Sequence, residues 1–405
     1  MNWKHVSLGE ISVNIQTGPF GSQLHQSDYS EKGTPVVMPK DLISGHISEE
    51  SIARVSDDHV ERLSRHKIEV GDILYSRRGD VGRCAFASET EAGWLCGTGC
   101  LRVTIDSRKA NPKFVFYQLL KADTIGWVEK HAVGSTMLNL NTSILSSVPI
   151  DLPSHDKQNH IVGVLSAYDD LIENNQKQIK LLEEAAQRLY KEWFVDLRFP
   201  GHETTPIVDG VPDGWTYKPF SEVFDYVRGK SYTSKELSDT TGILMANLKN
   251  IRAFGGYNRN AEKRFTGQYK ANQMLYAGDI VMGVTDMTQE RRLVGHVALV
   301  PDLGEKMTFS MDLIKIIPKL TDNLFLYSAM YYGGLSKQIS PLANGVNVLH
   351  LKPEAMMGIE MLIPTKDILE RYHQQFAPMV TRIEALQKQC DVAAEARDRL
   401  IPKLM

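Results

Sequence analysis

The fold is decided by two stretches of sequence that carry one apolar pattern. Residues 155–193 read HDKQNHIVGVLSAYDDLIENNQKQIKLLEEAAQRLYKEW, and residues 366–404 read KDILERYHQQFAPMVTRIEALQKQCDVAAEARDRLIPKL. The apolar seam of the first stretch advances in alternating steps of four and three, the heptad spacing of a coiled coil. Its positions are Ile161, Leu165, Tyr168, Ile172, Asn175, Ile179, Leu182, Ala186, Leu189 and Trp193.

The second stretch keeps the same register at an offset of 211 residues (372 − 161 = 211). Two polar residues, Asn175 and Arg397, interrupt the seams. A polar residue in such a seam lowers stability but excludes misaligned pairings. The pattern predicts two long helices that pack on each other, since neither can hide its apolar stripe alone.

The segments before the two helices also resemble each other. Trp3 matches Trp215, and Gly71-Asp72-Ile73-Leu74 recurs as Gly278-Asp279-Ile280-Val281. Each segment has short β-type runs punctuated by Gly, Pro, Asn and Ser, with short helices predicted at 111–121 and 323–332. The sequence therefore predicts two copies of one α+β fold.

The predicted architecture has four parts. The first globular domain spans residues 1–153, the first helix 154–200, the second globular domain 201–364 and the second helix 365–405. If the globular domains lie at opposite ends of the helices, the helices form an antiparallel coiled coil and the chain has approximate two-fold symmetry. The seam of 32 rises is roughly 48 Å long, which suits a spacer between two sites on DNA.

Composition excludes several classes of protein. The net charge of −3 argues against a wholly basic DNA-coating protein, although local basic faces remain possible. No apolar run is long enough to span a bilayer, and the start MNWKHVSLGE lacks a signal-peptide core. The four cysteines form no C-x-x-C pair and no zinc-like set, which predicts reduced thiols, no metal site and a cytoplasmic location.

Several stretches together resemble a known family over essentially the whole chain. They are Thr17–Ser22 (TGPFGS), Gly71–Gly82 (GDILYSRRGDVG), Lys191–Gly201 (KEWFVDLRFPG), Val284–Thr288 (VTDMT) and Arg397–Met405 (RDRLIPKLM). In this order, and with the internal repeat, the sequence resembles the specificity subunits of type I restriction–modification systems.

The resemblance implies two target-recognition domains, each reading one half of a split, asymmetric site in double-stranded DNA. It also implies helices that separate the domains and dock two modification subunits, which methylate adenine. Nuclease–translocase subunits would join that core and cleave unmodified DNA. The chain itself would carry no cofactor, because S-adenosylmethionine, ATP and Mg²⁺ would belong to the partner subunits.

Candidate DNA contacts are basic side chains and glycine-containing loops, since base edges and phosphates favour Arg, Lys, Asn and backbone N–H donors. For Arg77 and Arg78, a strand end in solvent is an equally good interpretation, and for the glycine loops a plain turn is. In the first domain the candidates are Lys40, Arg77, Arg78, Arg83, Gly18, Gly21, Ser22, Ser135 and Thr136. In the second they are Lys249, Asn250, Arg252, Arg259, Arg264, Arg291 and Arg292.

Partner contacts are expected at apolar helix positions off the seam, namely Leu181, Phe194 and Val195. No complete catalytic motif is found: Gly229-Lys230-Ser231 lacks the first glycine of a phosphate-binding loop. The chain is therefore interpreted as a non-catalytic subunit. Two alternatives stay open: a coiled-coil scaffold that binds no DNA, and a specificity subunit that pairs with a fused methylase–nuclease.

Overall fold

The structure, a computed structural model, describes residues 3–49, 52–134 and 137–405. It divides into two compact units: unit 1 comprises Met1–Asn174 and Cys390–Met405, and unit 2 comprises Asn175–Gln389. Each unit thus contains one globular α+β part and a section of both long helices. These units cut across the predicted boundaries, which follow the ends of the helices.

Unit 1 is built from short strands and five short helices before the first long helix. The strands are β1 (Lys4–Ser7), β2 (Ser12–Thr17), β3 (Tyr29–Ser30), β4 (Thr34–Val37), β5 (Leu42–Ile43), β6 (His46–Ile47), β7 (Ala53–Val55), β8 (Ile73–Ser76), β9 (Cys84–Phe86), β10 (Leu95–Cys96), β11 (Cys100–Ile105) and β12 (Pro149–Leu152). The helices are α1 (Leu8–Ile11), α2 (Asp57–Arg62), α3 (Pro112–Leu119), α4 (Ala122–His131) and α5 (Thr142–Ser146), followed by α6 (His155–Tyr190).

Unit 2 repeats this arrangement. Its strands are β13 (Ile207–Val208), β14 (Val211–Pro212), β15 (Thr216–Pro219), β16 (Phe224–Arg228), β17 (Leu237–Ser238), β18 (Ile243–Ala246), β19 (Lys263–Phe265), β20 (Ile280–Gly283), β21 (Thr285–Asp286), β22 (Val297–Leu299), β23 (Met307–Phe309), β24 (Leu313–Pro318), β25 (Leu349–His350) and β26 (Glu360–Ile363). Its helices are α7 (Phe220–Val223), α8 (Asn323–Tyr331) and α9 (Ser336–Ile339), before α10 (Lys366–Leu404).

The sheets of the two units have the same strand orders. One four-stranded antiparallel sheet runs β2-β11-β8-β9 in unit 1 and β16-β24-β20-β22 in unit 2. A second sheet runs β3-β7-β4-β10 and β17-β19-β18-β23, each with one parallel pair at its end. A two-stranded ribbon joins β1 to β12 and β15 to β26. The predicted α+β class and the internal repeat are confirmed.

Within each unit, the sections of the two long helices pack side by side and run in opposite directions. In unit 1, Asp169 contacts Arg397 and the Ile172 carbonyl accepts from the Cys390 thiol, so α6 and α10 are antiparallel there. In unit 2, Asn175 donates to Gln389 at 3.2 Å, and the Trp193 ring lies 5.8 Å from that of Tyr372. All positions of the predicted seam are buried or half-buried, which confirms the antiparallel coiled coil.

The polar seam residue Arg397 belongs to a buried cluster in unit 1. The Asp169 carboxylate accepts from Arg397 Nη1 at 2.8 Å and from the Tyr117 hydroxyl at 2.5 Å, and Lys113 Nζ lies 3.6 Å away. Burial and the Asp169 charge raise the pKa of Tyr117, which keeps its hydroxyl a donor. This cluster joins α3, α6 and α10.

The equivalent place in unit 2 is apolar and aromatic. At the offset of 211 residues, Val380 stands for Asp169, Ala186 for Arg397, Leu324 for Lys113 and Ser328 for Tyr117. Next to them a group of packed rings forms the core, which includes Tyr190, Trp193, Phe194, Trp215, Phe325, Tyr372 and Phe376. The same place in the fold is thus occupied by a charged cluster in unit 1 and by apolar and aromatic side chains in unit 2. No helix in the described part of the chain is long and apolar enough to cross a membrane.

Candidate nucleic-acid interface

Three loops of unit 1 meet at the end of β8. The Arg77 N–H donates to the Gly99 carbonyl at 2.8 Å, and the Arg77 carbonyl accepts from the Leu140 N–H at 2.8 Å. The Arg77 guanidinium also lies over the Phe20 ring, 5.9 Å from its centroid. Residues 18–23, 77–80 and 137–140 therefore form one surface, which we call surface 1.

The glycines in and next to surface 1 have different roles. Gly18 is buried, and a Cβ there would lie 2.0 Å from the Gly97 carbonyl oxygen, so this position needs glycine for close packing. Gly21 and Ser22 are exposed, and a Cβ at Gly21 would meet nothing. Gly134 has φ +130°, and its absent Cβ makes room for the Met137 carbonyl. Gly21 and Ser22 stay predicted phosphate contacts, whereas Gly18 shapes the loop.

The basic candidates of unit 1 differ in their surroundings. Arg77 is half-buried, and its solvent-excluded Nε has no hydrogen-bond partner among the described residues. Arg78 and Lys40 are exposed. Arg83 is paired with Asp80 at 2.6 Å. Only Arg77 and Arg78 lie on surface 1, and Ser135 and Thr136 fall outside the described residues.

Unit 2 carries the equivalent surface. The Leu351 N–H donates to the Val284 carbonyl at 2.8 Å, as Leu140 does to Arg77 in unit 1. Gly229 takes the place of Gly18, since a Cβ there would lie 2.0 Å from the Ser310 carbonyl oxygen. Gly345, with φ +152°, takes the place of Gly134. We call residues 229–231, 284–293 and 344–351 surface 2.

A buried carboxylate holds the central loop of surface 2. Asp286 is fully buried and accepts from the N–H groups of Thr288 and Leu293, at 2.8 and 2.6 Å. Burial alone would raise the pKa of Asp286, but these hydrogen bonds outweigh it and lower the pKa. The carboxylate therefore stays charged and fixes the backbone of residues 287–293, here called the Asp286 loop.

Two candidates of unit 2 are engaged inside the unit. Asn250 is fully buried, and its amide donates to the Asn258 carbonyl at 3.0 Å and to Glu262 at 2.9 Å. Arg264 forms a two-pronged ion pair with Glu305, at 2.6 and 2.9 Å. Asn250 is closed to DNA in this structure, and Arg264 would have to leave Glu305 to reach it.

The other basic candidates are more accessible. Lys249 and Arg252 are exposed, while Arg259 is half-buried. Arg291, with φ +52°, and Arg292 lie in the Asp286 loop. The solvent-excluded Nε atoms of both these arginines lack a hydrogen-bond partner within the described residues, although Arg292 also pairs with Glu290.

The helix residues predicted to contact partners divide in two groups. Leu181 and Val195 are 64% and 57% exposed, which leaves them available. The Phe194 ring packs inside unit 2, with ring centroids 4.8 Å from Tyr372 and 5.1 Å from Phe325. Because Phe194 belongs to the unit's own core, Leu181 and Val195 carry the prediction of a partner surface.

Sequence reasoning missed the residues that support the surfaces. The sequence does not indicate that Asp286 and Asp169 are buried, because their burial depends on neighbours far apart in sequence. It also missed exposed apolar side chains on the loops: Phe20 is 52% exposed, Met287 75% and Val346 88%. Their only sequence signal was a large apolar residue next to glycine or in a polar loop. In the described ranges, no group of three His, Cys, Asp or Glu side chains is placed to hold a metal ion.

Comparison with known proteins finds similar sequences along nearly the whole chain. Residues 1–184 match the family model of the type I restriction modification DNA specificity domain. The specificity subunit of the type I restriction enzyme MjaIX from Methanocaldococcus jannaschii is 27% identical over 92% of this chain and 85% of its own length. The HindI specificity subunit of Haemophilus influenzae is 21% identical over 100% and 99%.

A solved structure shares the architecture. The S subunit of the type I restriction–modification system from M. genitalium aligns over 100% of this chain and 96% of its own, with a TM-score of 0.56 and 14% identity. At that identity the likeness concerns the fold. Together with the fold, the sequence matches support one conclusion: residues 1–184 match the type I restriction modification DNA specificity domain, and nearly the whole chain is similar to specificity subunits of type I restriction enzymes.

Proposed function

We propose that each unit reads one half of a split, asymmetric DNA site and that the chain thereby brings its partner subunits to that site. One observation carries this proposal. Surfaces 1 and 2 are held by the same backbone hydrogen bonds, from Leu140 to Arg77 and from Leu351 to Val284, yet their side chains differ. Two surfaces with equivalent backbones and different side chains are suited to bind two half-sites of different sequence.

The chemistry of both surfaces fits duplex DNA. Each surface combines arginines with exposed loop backbone, the groups that contact phosphates and base edges. The Nε atoms of Arg77, Arg291 and Arg292, which have no hydrogen-bond partner among the residues described, would gain partners on an anionic ligand. A buried donor without a partner costs free energy, so binding a phosphate or a base acceptor there is favourable.

The chemical steps would lie on other subunits. In this proposal the chain is non-catalytic and acts in the cytoplasm with two modification subunits and the nuclease–translocase subunits. The former would use S-adenosylmethionine to methylate adenine, and the latter ATP and Mg²⁺. The exposed Leu181 in α6 and Val195 in the segment after α6 are the proposed contact points.

Methylation mapping by long-read sequencing tests the reader role. The chain is expressed with its neighbouring modification gene, beside a version in which residues 1–153 are replaced by the first domain of a relative. We expect a split adenine motif, of which one half alone changes after the exchange. A reciprocal exchange of residues 201–364 is the matched control and should change the other half alone.

Assembly of each complex is measured first by size-exclusion chromatography. No methylation motif from a stable assembly would contradict the reader role and favour a scaffold that binds no DNA. A motif that ignores both exchanges would show that the specificity lies outside the two globular domains.

A further inference from the structure

One loop of surface 2 is longer than the equivalent loop of unit 1. The Ser76 N–H donates to the Arg83 carbonyl in unit 1, and the Gly283 N–H donates to the His296 carbonyl in unit 2. These equivalent bonds span seven residues in the first copy (83 − 76 = 7) and 13 in the second (296 − 283 = 13). The second copy therefore has six additional residues, and they fall in the Asp286 loop.

This insertion is held at both ends. Asp286 accepts from the Thr288 hydroxyl at 2.8 Å and from the Val294 N–H at 3.3 Å, in addition to its two shorter bonds. The Arg292 carbonyl accepts from the Phe254 N–H at 2.7 Å. An insertion fixed in this way presents its side chains in a set arrangement before any ligand binds, which lowers the entropy cost of binding.

The insertion presents one amide, and two exposed apolar side chains belong to the same surface. The exposed Gln289 donates through Nε2 to the Val346 carbonyl at 2.7 Å, which leaves Oε1 and the second N–H of the amide available. Met287 is 75% and Val346 88% exposed. Met287 lies on the Asp286 loop. Val346 lies on the neighbouring segment 344–351, where backbone hydrogen bonds of 3.0 and 2.9 Å join Asn344 and His350.

We propose that Gln289, together with Met287 and Val346 of the same surface, reads an A·T base pair in the major groove of the second half-site. This inference rests on the proposed function. Adenine offers N6–H as a donor to Gln289 Oε1 and N7 as an acceptor for the remaining amide N–H, and thymine offers its C5-methyl to the apolar side chains. Arg291 would contact a neighbouring phosphate, as would Arg292 through its Nε, which Glu290 does not engage.

A G·C pair fits this group less well. Guanine presents two acceptors in the major groove, whereas Gln289 has a single N–H left after its bond to Val346. Cytosine could donate to Oε1 but has no methyl group for Met287 and Val346. Arg292, the donor type preferred by guanine, is paired with Glu290.

The test uses the complete complex with Gln289→Ala, and exposed Gln268→Ala as the matched control. Methylation mapping of Gln289→Ala should show one A·T position relaxed, by about 10- to 100-fold in discrimination, in the half-site assigned to the second domain. The first half-site is an internal reference and should stay unchanged, as should the whole motif of Gln268→Ala. An unaltered motif for Gln289→Ala would overturn the inference while leaving the reader role intact.

A second measurement needs only the wild-type complex, in case Gln289→Ala fails to assemble. Binding is measured to duplexes in which 7-deazaadenine replaces adenine, or deoxyuridine replaces thymidine, one position at a time. We expect weaker binding from both replacements at the same base pair, because the first removes N7 and the second the methyl group. Insensitivity to 7-deazaadenine throughout the second half-site would overturn the inference. Absence of any sequence-specific binding by the wild type would instead contradict the proposed function.

Discussion

Of the candidate residues, Arg77 is the one whose surroundings best fit a contact with DNA. Its guanidinium lies over Phe20, and its Nε is shielded from water without a hydrogen-bond partner in the described part of the chain. Arg77→Ala should therefore weaken binding of the matched duplex by about 1–3 kcal/mol. Fluorescence anisotropy of the complex, on matched and mismatched duplexes at one salt concentration, measures this loss.

The comparison between duplexes tells which group Arg77 contacts. A base contact predicts a loss confined to the matched duplex, whereas a phosphate contact predicts equal losses on both. Arg108→Ala is the control, because Arg108 is 87% exposed and paired with Asp106. Unchanged affinity of Arg77→Ala on both duplexes would remove Arg77 from the interface.

Residue type alone could predict which loops carry basic side chains, but not which of these side chains are available. Arg291 and Asn250 were equivalent candidates in the sequence. The structure separates them, since Asn250 is consumed by Asn258 and Glu262 while Arg291 lies in the Asp286 loop. These assignments depend on how the chain folds back from Glu262 to Asn250, 12 positions earlier (262 − 250 = 12), which no residue pattern in the sequence indicates.

Among the elements, the two long helices were the most predictable, because a heptad seam must be buried along its whole length. The seam residues from Ile161 to Trp193 are indeed buried or half-buried. Asp169 was not predictable, since it lies beside the seam and is buried by α3 rather than by α10 alone. When the residue on a second packed face of a helix is charged, the apolar pattern of the sequence does not reveal that face.

Unit 1 should lose much of its stability when either partner of the Asp169–Arg397 pair is removed. Arg397→Ala leaves the Asp169 carboxylate buried with only Tyr117 and the more distant Lys113. Breaking such a buried pair costs about 3–5 kcal/mol. Hydrogen exchange followed by mass spectrometry should show faster exchange in α3 (Pro112–Leu119), with unit 2 as the internal reference.

Unit 2 suggests the compensating change, because Val380 and Ala186 occupy the equivalent positions there. The double variant Asp169→Val with Arg397→Ala should lose less stability than the two single variants together, since it leaves neither charge buried alone. Arg399→Ala removes an exposed pair with Glu395 and should change exchange little. Strict additivity of the two single losses would show that the pair is not coupled.

In the whole chain, the unit that begins with the first residues is completed by the last ones. Ile401 is 4% exposed in the core of unit 1, and Leu400, Leu404 and Met405 pack against that core. The contiguous boundaries drawn from the sequence, 1–153 and 365–405, predict that deleting the end of α10 affects that helix alone. Because Cys390–Met405 belongs to unit 1, the structure instead predicts that this deletion destabilises the globular part at the start of the chain.

Deleting Cys390–Met405 separates these two expectations. The deletion removes the partner of Asp169 and uncovers Ile161 and Leu165, which are 1% and 0% exposed in the intact chain. Each buried aliphatic side chain contributes about 1.5–3 kcal/mol, so the loss approaches the stability of an ordinary domain. Hydrogen exchange in α3 (Pro112–Leu119) should therefore rise towards that of an unfolded segment, while α8 (Asn323–Tyr331) in unit 2 keeps its protection. If α3 exchanged as slowly as in the intact chain, unit 1 would be complete without the end of α10, and the contiguous domain would be the correct description.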